Sequence, residues 1–156
     1  MVETYQPSTP FSVRLKASEG AIGYRFAVSD LYGDTGETDF RYGVEAKHQT
    51  GITYFGALDV YDVSVEVYQL YLGYHRTGNG PSGGSSFDAA LHLSPGGFDS
   101  GNSDAQAILY SQGRQKGATY GYLSVTYNRL TLLPGNLSLK TQLIGQFSPV
   151  ALPRTE

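Results

Sequence analysis

The acidic residues of this chain suggest first a carboxylate chemistry, that of the aspartic proteases. Asp34-Thr35-Gly36 matches the tripeptide of those enzymes. Their mechanism needs two carboxylates that share one proton, and this sequence contains Asp-Thr-Gly only once. Since Gly33 and Glu37 flank the tripeptide instead of an apolar strand, the sequence favours a hairpin turn there, where Asp and Gly adopt the required backbone angles.

Oxygen and nitrogen ligands for a metal are also present, but not at metal-binding spacing. The acidic groups resemble no EF-hand loop. The histidines lack the i, i+2 or i, i+4 pairing that metal sites use. The residues concerned are Asp30, Asp34 and Asp39, then Asp99, Asn102 and Asp104, and the histidines His48, His75 and His92. Because the chain has no Cys, thiolate ligands, thiol catalysis and disulfides are excluded. We therefore expect no metal and no cofactor.

Other enzymatic and nucleic-acid functions find no support in the sequence. A G-x-S-x-G nucleophile elbow is absent, and the glycine clusters at 78–84 and 96–97 lack the Lys-Ser/Thr of a phosphate loop. The formal net charge is −3 without a basic block, so nucleic-acid binding has no electrostatic footprint. We expect a protein that is not an enzyme.

The hydrophobic pattern predicts strands throughout. Residues 120–148 alternate apolar and polar on both sides of Pro134-Gly135, which predicts a hairpin. Residues 40–47 alternate as cleanly, and no 3.6-residue period persists over 12 residues. The fold class predicted is therefore all-β, an antiparallel meander of roughly seven or eight strands.

Several local features complete this prediction. Turns are expected at Glu19-Gly20 and at residues 49–51, and a mobile Gly/Ser-rich loop is expected at 77–86. The apolar positions change parity near Val67-Tyr68, which suggests a β-bulge or, alternatively, a second turn. Residues 104–115 are ambiguous between a strand and a short helical turn.

Two environments remain open from composition and periodicity. Strands of about 10 residues are long enough to cross a bilayer when tilted. The chain is rich in Tyr and Gly, with 13 and 20 copies, and only 16 % of its residues are charged. That composition is typical of a membrane barrel with aromatic girdles. It is equally typical of a soluble β-sandwich whose tyrosines bind a carbohydrate. The first ten residues show no secretory signal.

An ordered set of short motifs narrows the choice. It begins with Gly96, Gly97 and Asn102, continues with Tyr122, Leu123 and Arg129, and ends with Leu133, Pro134, Gly145 and Gln146. In order and spacing, these residues resemble the barrel of the haemolysin secretion/activation family. Its members are the outer-membrane transporters of two-partner secretion, within the Omp85 superfamily. The resemblance covers roughly residues 40–156.

The resemblance implies a transmembrane β-barrel of about 16 strands, a size within the known range. Family members carry a signal peptide and POTRA domains, and they export a large unfolded exoprotein without ATP. This chain contains neither POTRA domains nor the family's V-R-G-Y/F motif. We therefore expect residues 1–156 to be one partial barrel domain in a bacterial outer membrane. Its expected partners are the secreted exoprotein and membrane lipid.

The resemblance also implies that alternate residues face lipid and a polar lumen. The candidates for the lumen are Arg41, Glu45, Lys47, Ser138, Lys140 and Gln142. Mixed charges and amides offer an unfolded polypeptide many weak contacts, and weak multi-site binding is what transport requires. The alternatives are a soluble β-sandwich that binds a ligand such as a carbohydrate, and another outer-membrane barrel such as a small porin.

Overall fold

The computed structural model describes residues 11–28, 36–135 and 137–153. Its elements are β1 (Phe11–Val28), β2 (Thr38–Phe55), β3 (Leu58–Gly80), β4 (Gly83–Ser94), α1 (Asp104–Tyr110), β5 (Tyr120–Leu133) and β6 (Leu137–Phe147). The strands form one antiparallel sheet in the order β1-β2-β3-β4-β5-β6, so each strand pairs with its neighbours in sequence. The predicted all-β antiparallel meander is confirmed, and the sheet formed by the described strands is not closed.

The described residues form six strands, fewer than the predicted seven or eight. Two of the expected turns lie inside long strands. Gly20 pairs with Ala46 in the middle of the β1–β2 ladder, and Gly51 pairs with Leu15. Glycine can occupy a strand where a neighbouring backbone satisfies its hydrogen bonds, so local turn preference yields to the continuous ladder.

The connections on the β2–β3, β3–β4 and β5–β6 hairpins are tight. Gly56 takes a φ of 61° between β2 and β3, and Gly135 takes a φ of 80° after Pro134. The loop expected at residues 77–86 is mostly ladder, because pairing runs from Thr77 with Ser86 to Gly80 with Gly83. The hairpin predicted at 120–148 is confirmed.

Each strand directs alternate side chains to opposite faces of the sheet. Cross-strand pairing joins Arg41 to Gly73, Gly73 to Ala90, Ala90 to Ser124 and Ser124 to Gln146. We call the side on which these residues lie the polar face. The opposite side, the apolar face, carries one row across all six strands: Tyr24, Tyr42, Leu72, Leu91, Leu123 and Phe147.

Helix α1 explains the parity change near Val67-Tyr68. The β2–β3 register continues without interruption past these residues, and its shift lies instead between Thr53 and Tyr54. The β-bulge expected at 67–68 is therefore absent. Val65 and Val67 lie on the polar face, where Tyr110 of α1 packs against them. The apolar residues change face because the helix covers the polar face at this end.

The ambiguous residues 104–115 begin with this helix. Ser103 caps it by accepting a hydrogen bond from the Gln106 amide. Among the described residues there is no helix with the length and apolar character needed to span a membrane.

Candidate functional site

A network of ion pairs crosses four strands of the polar face. Asp39, which is 1 % exposed, lies 2.8 Å from Arg25 Nη2 and 3.3 Å from Arg41 Nε. Arg41 Nη2 also donates to Asp88 Oδ1 at 2.6 Å, and His75 Nδ1 lies 2.9 Å from the same oxygen. Both oxygens of the buried Asp39 carboxylate therefore have a guanidinium neighbour.

A second polar group lies on the same face, farther along β2 from Arg41. Glu45 Oε2 is 3.8 Å from Lys47 Nζ and 3.6 Å from His92 Nδ1. The His92 ring stacks on Tyr122 with ring centroids 4.6 Å apart and an interplanar angle of 5°. The buried Gln69 amide donates to the Tyr120 hydroxyl at 2.9 Å. Charges of both signs, together with amides, thus lie on the β2–β5 part of this face. On β5 and β6 the same face also carries exposed apolar side chains: Leu130, Leu132 and Ile144.

The register places all six candidate lumen residues on the polar face. Arg41, Glu45 and Lys47 are half-buried on β2, while the three β6 candidates are exposed near the sheet edge: Ser138, Lys140 and Gln142. That this face lines a lumen stays a prediction. The sequence did not single out Asp39, His75 or Asp88 as a group, although each occupies the strand parity of this face.

The apolar face is uncovered over most of its area. Ile22 is 79 % exposed, Leu72 is 57 % exposed and Leu143 is 62 % exposed. Monomeric soluble proteins rarely expose a contiguous apolar surface that extends across a whole sheet. Exposure of this surface to water costs about 25 cal/mol per Å² of apolar area. The sheet therefore requires an apolar environment, or another protein surface, on this side.

Aromatic side chains form a band at one border of the apolar face. Phe26 and Phe40 lie with ring centroids 5.5 Å apart, Phe40 and Tyr74 lie 5.3 Å apart, and Tyr74 and Phe87 lie 6.1 Å apart. At the opposite border, Tyr68 makes an edge contact with Phe98 at 5.5 Å. Aromatic rows that border an apolar zone are typical of strands at a membrane–water interface.

The glycine and asparagine motif residues position the connection between β4 and β5. Gly96 and Gly97 take φ values of 68° and 74°, which favour glycine. Asn102 is 1 % exposed, and its side-chain amide donates to Glu66 O at 2.8 Å. Its backbone carbonyl accepts from the Gly97 amide at 2.7 Å. These residues hold the connection against the edge of β3 that β4 leaves unpaired.

The remaining motif residues lie on the last hairpin. Leu133 and Pro134 lead into its turn. Tyr122 and Gln146 lie on the polar face, whereas the other three lie on the apolar face: Leu123, Arg129 and Gly145. These residues therefore belong to the β4–β5–β6 ladder and its turn.

Asp99 and Asp104, two of the metal-ligand candidates in the connection between β4 and β5, accept hydrogen bonds. Asp99 accepts from the Asn102 amide at 2.8 Å and from the Tyr68 hydroxyl at 2.8 Å. Asp104 accepts from the Ala118 amide at 2.8 Å. Asp30 and Asp34, and with Asp34 the start of the Asp-Thr-Gly tripeptide, lie outside the described residues.

The three histidines do not converge, because each lies beside a different carboxylate. His48 Nδ1 is 2.6 Å from Glu66 Oε1, while His75 and His92 neighbour Asp88 and Glu45. Within the described part of the chain, no three Asp, Glu or His side chains come together to hold a metal ion. The sequence did not reveal these pairs, since their members lie far apart along the chain.

Comparison with known proteins identifies no relative, because no family model, curated protein or solved structure matches this chain.

Proposed function

We propose that this chain is part of an outer-membrane β-barrel that exports an unfolded partner protein along its polar face. The observation that carries the proposal is the inversion of polarity across the sheet. Apolar side chains on all six strands are uncovered, whereas the opposite face buries ions and amides. A soluble sheet normally arranges its two faces the other way, with the apolar face packed on a core.

The strand dimensions support a membrane environment. The shortest strand, β6, has 11 residues, and β4 has 12. A tilted transmembrane strand needs about 9–11 residues. Each of the described strands is therefore long enough to cross the hydrocarbon layer.

The polar face supports the proposed cargo. A folded substrate would need a shaped site, but an extended polypeptide needs only weak hydrogen-bonding partners at many positions. The Arg41 and Glu45 groups supply charges of both signs in that pattern. The resemblance to the haemolysin secretion/activation family suggests the same cargo, an exoprotein that crosses unfolded.

The soluble β-sandwich is less well supported. A sandwich requires a second sheet packed on the apolar face. The described strands belong to one sheet, so a carbohydrate-binding sandwich is not proposed.

Adjacent residues on β6 provide a direct test of membrane insertion. Gln142 and Leu143 are both exposed, on the polar and apolar faces respectively. Because the chain contains no Cys, Gln142→Cys and Leu143→Cys each create a unique thiol. In outer membranes, we expect a charged, membrane-impermeant maleimide to label Gln142→Cys at least tenfold faster than Leu143→Cys.

The same pair provides its own control. After unfolding in urea with detergent, both thiols should react at the same rate. Equal labelling in the native membrane fraction, or recovery of the chain in the soluble fraction, would contradict the insertion proposal.

Export itself is tested by deletion of the gene in the source bacterium. We expect a large protein to disappear from the culture medium and to return on complementation. An unchanged secreted proteome, with the chain still inserted in the membrane, would favour a porin-like barrel over an exporter.

A further inference from the structure

A groove opens on the apolar face of β1, β2 and β3. Its volume is about 610 Å³, which lies within the range of about 300–1,000 Å³ that is usual for ligand sites. One wall comes from the connection between β4 and β5, which folds outward over the sheet. The principal apolar lining residues are Gly20, Ile22, Val44, Ala46, Leu70 and Phe98.

The groove ends where the apolar face becomes polar. Two cross-strand rows line it, Ile22-Val44-Leu70 and Gly20-Ala46-Tyr68. The next two rows are Ser18-His48-Glu66 and Lys16-Thr50-Ser64. Successive rows on one face are about 7 Å apart, so an apolar zone meets a polar zone within one step along the strands.

The outer wall of the groove is held by specific contacts. The Tyr68 hydroxyl donates to Asp99 at 2.8 Å, and the Tyr68 ring contacts Phe98. The Phe98 amide donates to the Asn102 side chain at 3.3 Å, and Asn102 is itself bonded to β3. Phe98 is nonetheless 66 % exposed, so an aromatic ring is held beside the groove without protein packed over it.

We propose that this groove binds one acyl chain of a phospholipid, with the headgroup at the Ser18 and Lys16 rows. The proposal rests on the membrane insertion proposed above. The groove is continuous with the exposed apolar face, so its occupant arrives from the lipid side. A long, unbranched hydrocarbon suits its apolar lining, and Lys16 lies in one of the polar rows beyond the groove, where a cationic side chain suits a lipid phosphate.

Fluorescence of a single tryptophan tests this site, since the chain contains no Trp. Phe98→Trp places the emitter at the groove. Phe147→Trp is the matched control. Phe147 lies on the apolar face of β6, away from the groove, and it is 64 % exposed where Phe98 is 66 % exposed. Each variant of the full chain, folded in maltoside micelles, is titrated with a phosphatidylcholine that carries bromine on one acyl chain.

We expect Phe98→Trp to be quenched in a saturable manner at one lipid per chain. Phe147→Trp should be quenched only in proportion to the lipid fraction of the micelle. Gly20→Phe adds a ring at the groove, and its Cβ meets no atom within 4 Å. It should abolish the saturable quenching of Phe98→Trp and leave Phe147→Trp unchanged.

The outcomes separate this proposal from the one on which it rests. Flotation of the unmodified chain with phospholipid vesicles reports membrane insertion. If the chain floats and both tryptophans are quenched in simple proportion to lipid, the groove proposal fails and insertion stands. If the chain remains in the aqueous fraction, both proposals fail.

Discussion

The ring of Tyr71 on β3 occupies the space in which a side chain at Gly43 on β2 would lie. A Cβ at position 43 would be 2.7 Å from Tyr71 Cε1 and 2.3 Å from the Ile22 carbonyl oxygen. The Tyr71 hydroxyl similarly fills the space beside Gly23. An aromatic ring thus covers glycines on two neighbouring strands, which fixes their register on the polar face.

We predict that Gly43→Ala destabilises the sheet by about 1–3 kcal/mol, the usual effect of overpacking. The methyl group would have to displace backbone as well as the Tyr71 ring. Gly20→Ala is the control, because its Cβ meets no atom within 4 Å. Urea unfolding in detergent measures both variants. Equal stabilities would contradict the contact between Tyr71 and Gly43.

Loss of the Arg41 guanidinium should be more harmful than loss of the Lys47 ammonium. Arg41 contacts both Asp39 and Asp88, and Asp39 is almost fully buried. We expect Arg41→Met to reduce the free energy of unfolding by about 1–3 kcal/mol, because it weakens the compensation of a buried carboxylate.

Lys47→Met provides the comparison, because the Lys47 ammonium lies 3.8 Å from Glu45, farther than Arg41 lies from either of its two carboxylates. We expect a smaller loss of the free energy of unfolding than for Arg41→Met. A larger loss for Lys47→Met than for Arg41→Met would show that the Arg41 network is not a principal stabilising feature.

A charge on the apolar face separates a membrane from an aqueous environment. Leu72 lies in the middle of the row that crosses all six strands. In a bilayer, we expect Leu72→Arg to make the free energy of folding into vesicles less favourable by about 2–4 kcal/mol. This is the usual penalty for Arg on the lipid-facing side at the middle of the bilayer.

Thr126→Arg on the polar face is the control for Leu72→Arg and should assemble normally if that face meets water. The folded fraction after assembly into vesicles, read from electrophoretic mobility without heating, measures both. Unimpaired assembly of Leu72→Arg would count against the membrane proposal.

The contact between Tyr68 and Asp99 should weaken in acid. The hydrogen bond from Tyr68, supported by the Asn102 amide, lowers the pKa of the Asp99 carboxyl below its usual range. Because the folded-state pKa is the lower one, this carboxylate stabilises the fold above the ordinary pKa of Asp. That stabilisation is lost as the pH falls through the lowered pKa.

Asp99→Asn should therefore remove part of the acid dependence of unfolding. Unfolding midpoints of the unmodified chain and of Asp99→Asn, measured from pH 7 downwards, should converge as Asp99 is protonated. A constant difference between the two curves at every pH would refute this role for Asp99.

The sequence alone determined the fold class, because alternation is a local property of each strand. The hairpin at 120–148 and the shared face of Arg41, Glu45 and Lys47 follow from side-chain parity and turn residues. The high tyrosine and glycine content and the low share of charged residues were also visible in the sequence. They indicated either a membrane barrel with aromatic girdles or a tyrosine-rich soluble sheet.

Only the tertiary structure decided which local signals are overridden. Glycine at positions 20 and 51 suggested turns, but pairing with a neighbouring strand continues the ladder through both. The parity change at Val67-Tyr68 suggested a bulge. Instead, Val65 and Val67 are apolar residues on the polar face because Tyr110 of α1 packs against them there. The Asp39, Arg41 and Asp88 network also depends on register between distant strands. Pairing and packing join residues that are remote in sequence, so no local pattern contains them.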